Sequence, residues 1–100
     1  MMSESSAYQI RRFPISTDGW TPIVAPADCN YFFVTNSDGT AMYECTDPGN
    51  ADNTCCTVPA TDWFSVSAPR FGPVRFRAGD TVTYLKATTA VGPAIVKFVL

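Results

Sequence analysis

Four cysteines carry the most reactive side chains of this sequence, and three of them crowd into "YECTDPGNADNTCCTV", Tyr43 to Val58. Thiols can bind zinc, attack electrophiles or join as disulfides, and spacing separates these uses. Structural zinc sites take cysteines in C-x2-4-C pairs. Cys29, Cys45, Cys55 and Cys56 stand 16, 10 and 1 residues apart. On an extended strand Cys55 and Cys56 point to opposite faces, so one metal ion cannot collect both. A reactive thiol needs neighbouring positive charge, whereas the local charges are Glu44, Asp47 and Asp52. Two readings stay open. The cysteines are buried free thiols packing as small hydrophobes, or the segment forms a disulfide, given an oxidising compartment. In the second reading one of Cys55 and Cys56 enters the core and pairs with Cys29 or Cys45, while the other faces out.

Other chemistry is thinly supplied. The sequence contains no histidine, which excludes the Ser-His-Asp and Cys-His arrangements. It shows neither a glycine-rich phosphate loop nor paired carboxylates at a catalytic spacing, so no catalytic residue and no enzyme activity are expected. "DPGNADN" gathers Asp47, Asn50, Asp52 and Asn53 as candidate oxygen ligands for a hard cation. It lacks the EF-hand spacing, and the same residue types make ordinary turns; a plain loop is expected, with no metal and no cofactor. Tyr8, Trp20, Tyr31, Tyr43, Trp63 and Tyr84 could stack on sugar rings, but their even spread along the chain suits core and interface positions better.

The elements that must position these residues are strands. Eight prolines punctuate the 100 residues, and Val, Thr, Phe and Tyr are frequent, so helices of useful length have no room. The pattern predicts a single all-β domain, a β-sandwich of jelly-roll type with about 7–9 short antiparallel strands. Strands are placed near 8–13, 20–24, 29–36, 41–46, 54–58, 63–67, 73–78, 81–88 and 94–100. Asn36-Ser37-Asp38-Gly39 predicts a turn joining 29–36 and 41–46 as a hairpin. Ala78-Gly79 predicts the centre of a second hairpin turn, with positive φ at Gly79. Residues 1–7 carry little to bury and read as a flexible arm preceding a domain at 8–100.

Charge and patterning limit the partners. Seven Lys and Arg against nine Asp and Glu give a net charge of -2, without the basic cluster that nucleic acid requires. No apolar run is long enough to cross a membrane as a helix. "MMSESSAYQIRR" has no signal-peptide pattern, so the chain is expected to be made in a cytoplasm and to stay there unless something else carries it out. Charged residues make up only 16%, against roughly 25% in ordinary globular domains. "YFFV" (Tyr31 to Val34) is apolar on both faces, and "AIVKFVL" is broken only by Lys97. A strand apolar on both sides needs cover, either from loops and the Trp20 and Trp63 side chains or from another subunit. "PVRFR" alternates, with Val74 and Phe76 facing inward and Arg75 and Arg77 outward. The candidate partner contacts from this patterning are Tyr31 and Phe33, then Arg75 and Arg77.

Three segments extend this reading: "WTPIVAPADCNYFFVTN", "MYECTDPGNADNT" and "RFRAGDTVTYLKATTAVGPAIVKFVL". In their order the chain resembles small all-β structural proteins of tailed bacteriophages, over about four-fifths of its length. The resemblance implies a head decoration (cement) protein or tail accessory protein, located in the virion. It would act by binding the major capsid protein or another virion protein, as a homo-oligomer, with no catalytic residues. The arm would order on the particle lattice, which adds Tyr8, Ile10, Arg11, Arg12 and Phe13 to the candidate partner contacts, and no signal peptide would be needed because lysis releases the particle. The alternative implied is a carbohydrate-binding or host-attachment module on a tail or fibre. The cysteine cluster is not part of the resemblance.

Overall fold

Short runs of β-branched and aromatic residues, several of them closed by proline, become strands wherever one side can be buried. The computed structural model describes residues 7–35, 42–50, 55–58, 64–65, 75–88 and 93–100. Within them lie β1 (Tyr8–Phe13), β2 (Thr21–Val24), β3 (Tyr31–Thr35), β4 (Met42–Cys45), β5 (Cys55–Val58), β6 (Phe64–Ser65), β7 (Thr81–Ala87) and β8 (Ala94–Val99), with a short 3-10 turn at Pro48–Asn50.

The strands form two antiparallel sheets, ordered β1-β8-β3-β6 (sheet A) and β2-β7-β4-β5 (sheet B). The first strand pairs with the last, β2 with β7, β3 with β6 and β4 with β5. Contacts of β3 with β8 and of β4 with β7 complete the sheets. This is one long folded-over ribbon rolled into two layers, the jelly-roll form of the β-sandwich. Pro22, which lacks an amide, sits in β2 at the rim of sheet B, where a strand tolerates proline.

Alternation along each strand builds the core between the layers. Sheet A sends in Phe32, Val34, Ala94, Val96 and Phe98; sheet B sends in Ile23, Met42, Val58 and Leu85. Phe98 packs against Phe32 with ring centroids 6.4 Å apart, and edge-on against Phe13 at 6.2 Å. Phe76 meets Phe32 edge-on at 5.9 Å. Each large side chain removed from water in this way contributes about 1.5–3 kcal/mol.

Four expectations are corrected. β3 and β4 do not form a hairpin: they belong to different sheets, and residues 36–41, where the turn was expected, lie outside the described residues. Both strands have an apolar inward side, and opposite layers let both bury it. The strand expected at 73–78 reduces to an isolated bridge between Cys29 and Phe76, with 73 and 74 outside the described residues. The Ala78-Gly79 turn is present, with Gly79 at φ 91° and the Asp80 amide donating to the Arg77 carbonyl at 3.0 Å. It leads into β7 from that bridge and joins no pair of adjacent strands. Residues 1–6 of the expected arm lie outside the described residues, but Ala7 already belongs to the sandwich, its carbonyl accepting from the Leu100 amide at 3.1 Å.

Candidate interaction surfaces

Among the described residues, the outer side of sheet A is largely apolar. Register and alternation bring Tyr8, Ile10 and Arg12 of β1, Ile95, Lys97 and Val99 of β8, and Tyr31 and Phe33 of β3 onto one face. Tyr8 and Ile10 are 42% and 45% exposed, and the β8 and β3 residues are half-buried. Tyr31 and Phe33 pack edge to face with centroids 5.3 Å apart. The Lys97 ammonium lies 4.7 Å from the Tyr8 ring centre, a cation held on an aromatic face. The sequences of β1, β3 and β8 contain Arg and Lys but no carboxylate.

Five of the expected contact residues, Tyr8, Ile10, Arg12, Tyr31 and Phe33, thus share this face. The other four do not. Phe13 is turned inward onto Phe98, because its place in β1 matches buried Ala94 of β8. Arg11 also has inward parity, but on a rim strand it swings out. Its guanidinium donates to the Gln9 side-chain oxygen at 2.8 Å and to the Ile10 carbonyl at 3.0 Å.

Arg75 and Arg77 belong to a separate knot around Asp28. The Arg75 guanidinium donates to the Asp28 backbone carbonyl at 3.0 Å. The Asp28 carboxylate accepts from the Ala78 amide at 2.9 Å and from Arg77 at 3.1 Å. Ala78, and then Arg77, hold that carboxylate below the usual aspartate range. Both arginines therefore brace the Gly79 turn against the loop before β3, and the outward stripe expected of them is committed within the chain.

Sheet B has its own outer row. Tyr43, 44% exposed, stands opposite Lys86 in the β4–β7 register, and the Lys86 ammonium lies 5.8 Å from the Trp20 ring centre. Trp20 therefore lies beside Lys86 at sheet B and does not cover β3; Trp63 lies outside the described residues. Cys45 faces the same way as Tyr43 and is joined to Cys55, its direct opposite in the β4–β5 register, by a disulfide. Cys29 stays a free thiol in the core, its pKa raised by burial, and Cys56 a free thiol at the surface. Asp47 is spent on its own turn: its carboxylate accepts from the Gly49 amide at 3.0 Å and its carbonyl from the Asn50 amide at 2.9 Å.

One polar cluster escaped the reading of the residues. Glu44, 4% exposed, has the inward parity of Met42. Its carboxylate accepts from the Thr83 hydroxyl and from the Cys56 thiol, the latter at 3.2 Å. Burial first, then the bond to Glu44 and its charge, push the Cys56 thiol up to about 11. Such a thiol stays protonated and is a poor nucleophile. The signal was present in "MYEC": if Met42 faces in and Tyr43 out, Glu44 must face in. Among the described residues, no group of three or more Cys, Asp or Glu side chains is placed to hold a metal ion, and no helix is long and apolar enough to cross a membrane. Comparison of the chain with protein-family models, with curated proteins and with solved structures finds no match.

Proposed function

We propose that the chain is a virion structural protein of a tailed bacteriophage, a head decoration protein that binds the assembled shell through the outer face of sheet A. The observation that carries this reading is that face: Tyr8, Ile10, Tyr31, Phe33, Ile95 and Val99 present contiguous apolar surface with Lys97 and Arg12 among them. A solvated sheet face would alternate to polar residues; a face of this composition suits a partner that supplies apolar surface and carboxylates. The resemblance of "RFRAGDTVTYLKATTAVGPAIVKFVL" to phage structural proteins points the same way. The partner is the major capsid protein or another virion protein. The mechanism is mass action: a protein that binds only the assembled shell stabilises it. It acts by binding, not by catalysis.

Cosedimentation with intact heads of the encoding phage, stripped of this protein, is the test. The full chain pellets with the heads, and Phe33→Glu, which places a charge on the face without touching the core side of β3, stays in the supernatant. Wild-type protein that fails to pellet, or a Phe33→Glu variant that pellets equally well, overturns the reading.

A second reading rests on the outer row of sheet B. Trp20 and Tyr43 flank Lys86, an arrangement that could stack on a sugar ring, as a carbohydrate-binding or host-attachment module on a tail or fibre would require. Jelly rolls recur in viral capsid and lectin domains alike, so the fold does not choose between them. Binding to immobilised host glycans that Tyr43→Ala abolishes would favour this alternative.

A further inference from the structure

β1 is the rim strand of sheet A, and among the described residues no strand pairs with its far side. One hydrogen bond fixes which backbone groups face that side. The Leu100 amide donates to the Ala7 carbonyl, so Ala7 directs its backbone groups at β8. Direction alternates along a strand, so Gln9 and Arg11 also face β8. Tyr8, Ile10 and Arg12 then aim their amides and carbonyls at the open side. The Arg11 side chain bonded to the Ile10 carbonyl agrees, since it occupies the place a neighbouring strand would take.

We propose that this edge pairs with β1 of a second copy of the chain, antiparallel and centred on Ile10, so that sheet A runs unbroken across a two-fold dimer. Self-complementarity selects the second copy as occupant. A two-fold axis through the sheet keeps outer side chains beside outer ones only when it passes through a residue. The two such registers that use β1 most fully centre on Ile10 or Arg11. Centring on Arg11 sets two arginines directly opposite and spends one pairing on Pro14, which has no amide. Centring on Ile10 meets none of these costs. Ile10 faces its own copy, and Tyr8 faces the partner's Arg12, an aromatic–cation pair made twice. Tyr8, Ile10 and Arg12 each donate and accept one backbone bond. On the other side Gln9 faces the partner's Arg11, so the Arg11–Gln9 bond of 2.8 Å is exchanged for its symmetric copy. The apolar outer faces of the two copies become contiguous. This inference does not rest on the virion reading and holds for the chain alone in solution.

Light scattering after gel filtration, with site-specific cross-linking, tests it. Opposed residues of a hydrogen-bonded pair lie about 5.5 Å apart at Cα, within disulfide reach. In a Cys56→Ser background, Ile10→Cys gives a covalent dimer under mild oxidation, and Arg11→Cys, which faces Gln9, does not. Ile10→Pro halves the measured mass while the circular dichroism stays unchanged, because the Ile10 amide is not used by β8. A monomeric wild-type chain overturns the proposal. So does a dimer that Ile10→Cys fails to link, or one in which Arg11→Cys links instead.

Discussion

Glu44 and Cys56 face each other across the β4–β5 pair, the thiol donating to the carboxylate at 3.2 Å on the inward side of sheet B. Among the described residues this buried carboxylate is held by two neutral donors, the Cys56 thiol and the Thr83 hydroxyl, and it is costly to disturb. Thr83→Val removes the second donor and leaves the charge poorly satisfied, so it costs about 1–3 kcal/mol. Thr83→Val combined with Glu44→Leu recovers much of this, since no buried charge then lacks a partner. Urea denaturation of the single and double variants measures both.

The same pair predicts an alkaline window. The folded thiol titrates at about 11 and the unfolded one at its ordinary 9.0. The unfolded chain therefore releases its proton first, and stability present below pH 9.0 is lost as pH rises from 9.0 toward 11. Alkylation of native Cys56 follows the upper value. Glu44→Gln, which removes the opposing charge, brings the midpoint of alkylation down.

At the acid end the sign reverses. Asp28 is held below its ordinary value of 3.8 by the Ala78 amide and by Arg77. Its contribution is present in full above 3.8 and disappears as pH falls through the depressed folded value. Asp28→Asn flattens the fall in melting temperature below pH 3.8 relative to wild type.

The disulfide ties the rim strand β5 to β4 across a separation of 10 residues. Reduction, or Cys45→Ser with Cys55→Ser, lowers stability by about 2–4 kcal/mol. A thiol reagent added to the unreduced native protein modifies Cys56 and reaches Cys29 only after unfolding, which mass spectrometry distinguishes.

In the core, Phe98→Ala opens a cavity between Phe13 and Phe32, both of which pack on its ring. The expected cost is about 3–5 kcal/mol, read from chemical denaturation.

Local chemistry made the strands and the Gly79 turn legible in the sequence: "AIVKFVL" has no other economical conformation, and only glycine accepts φ 91° without strain. Layer assignment was not legible. Asn36 to Gly39 can announce a reversal of the chain, but not whether the next strand joins the same sheet or the opposite one. The outward-facing set could be read where parity alone decides, at Tyr8, Ile10, Tyr31 and Phe33. It could not be read at Arg75 and Arg77, whose engagement depends on Asp28, nearly fifty residues away in sequence. The Cys45–Cys55 pairing needed the β4–β5 register, which no spacing rule supplies.

β8 lies between β1 and β3, with Val99 opposite both Tyr8 and Tyr31. β8 is translated after β1, β3 and β6 and is therefore the strand that completes sheet A. During synthesis Tyr31 to Val34 must wait, its apolar residues without their neighbour, until Phe98 leaves the ribosome. Such non-local closure puts refolding in the range of roughly milliseconds to seconds. It also makes the nascent chain, more than the finished one, the form that chaperones must shield.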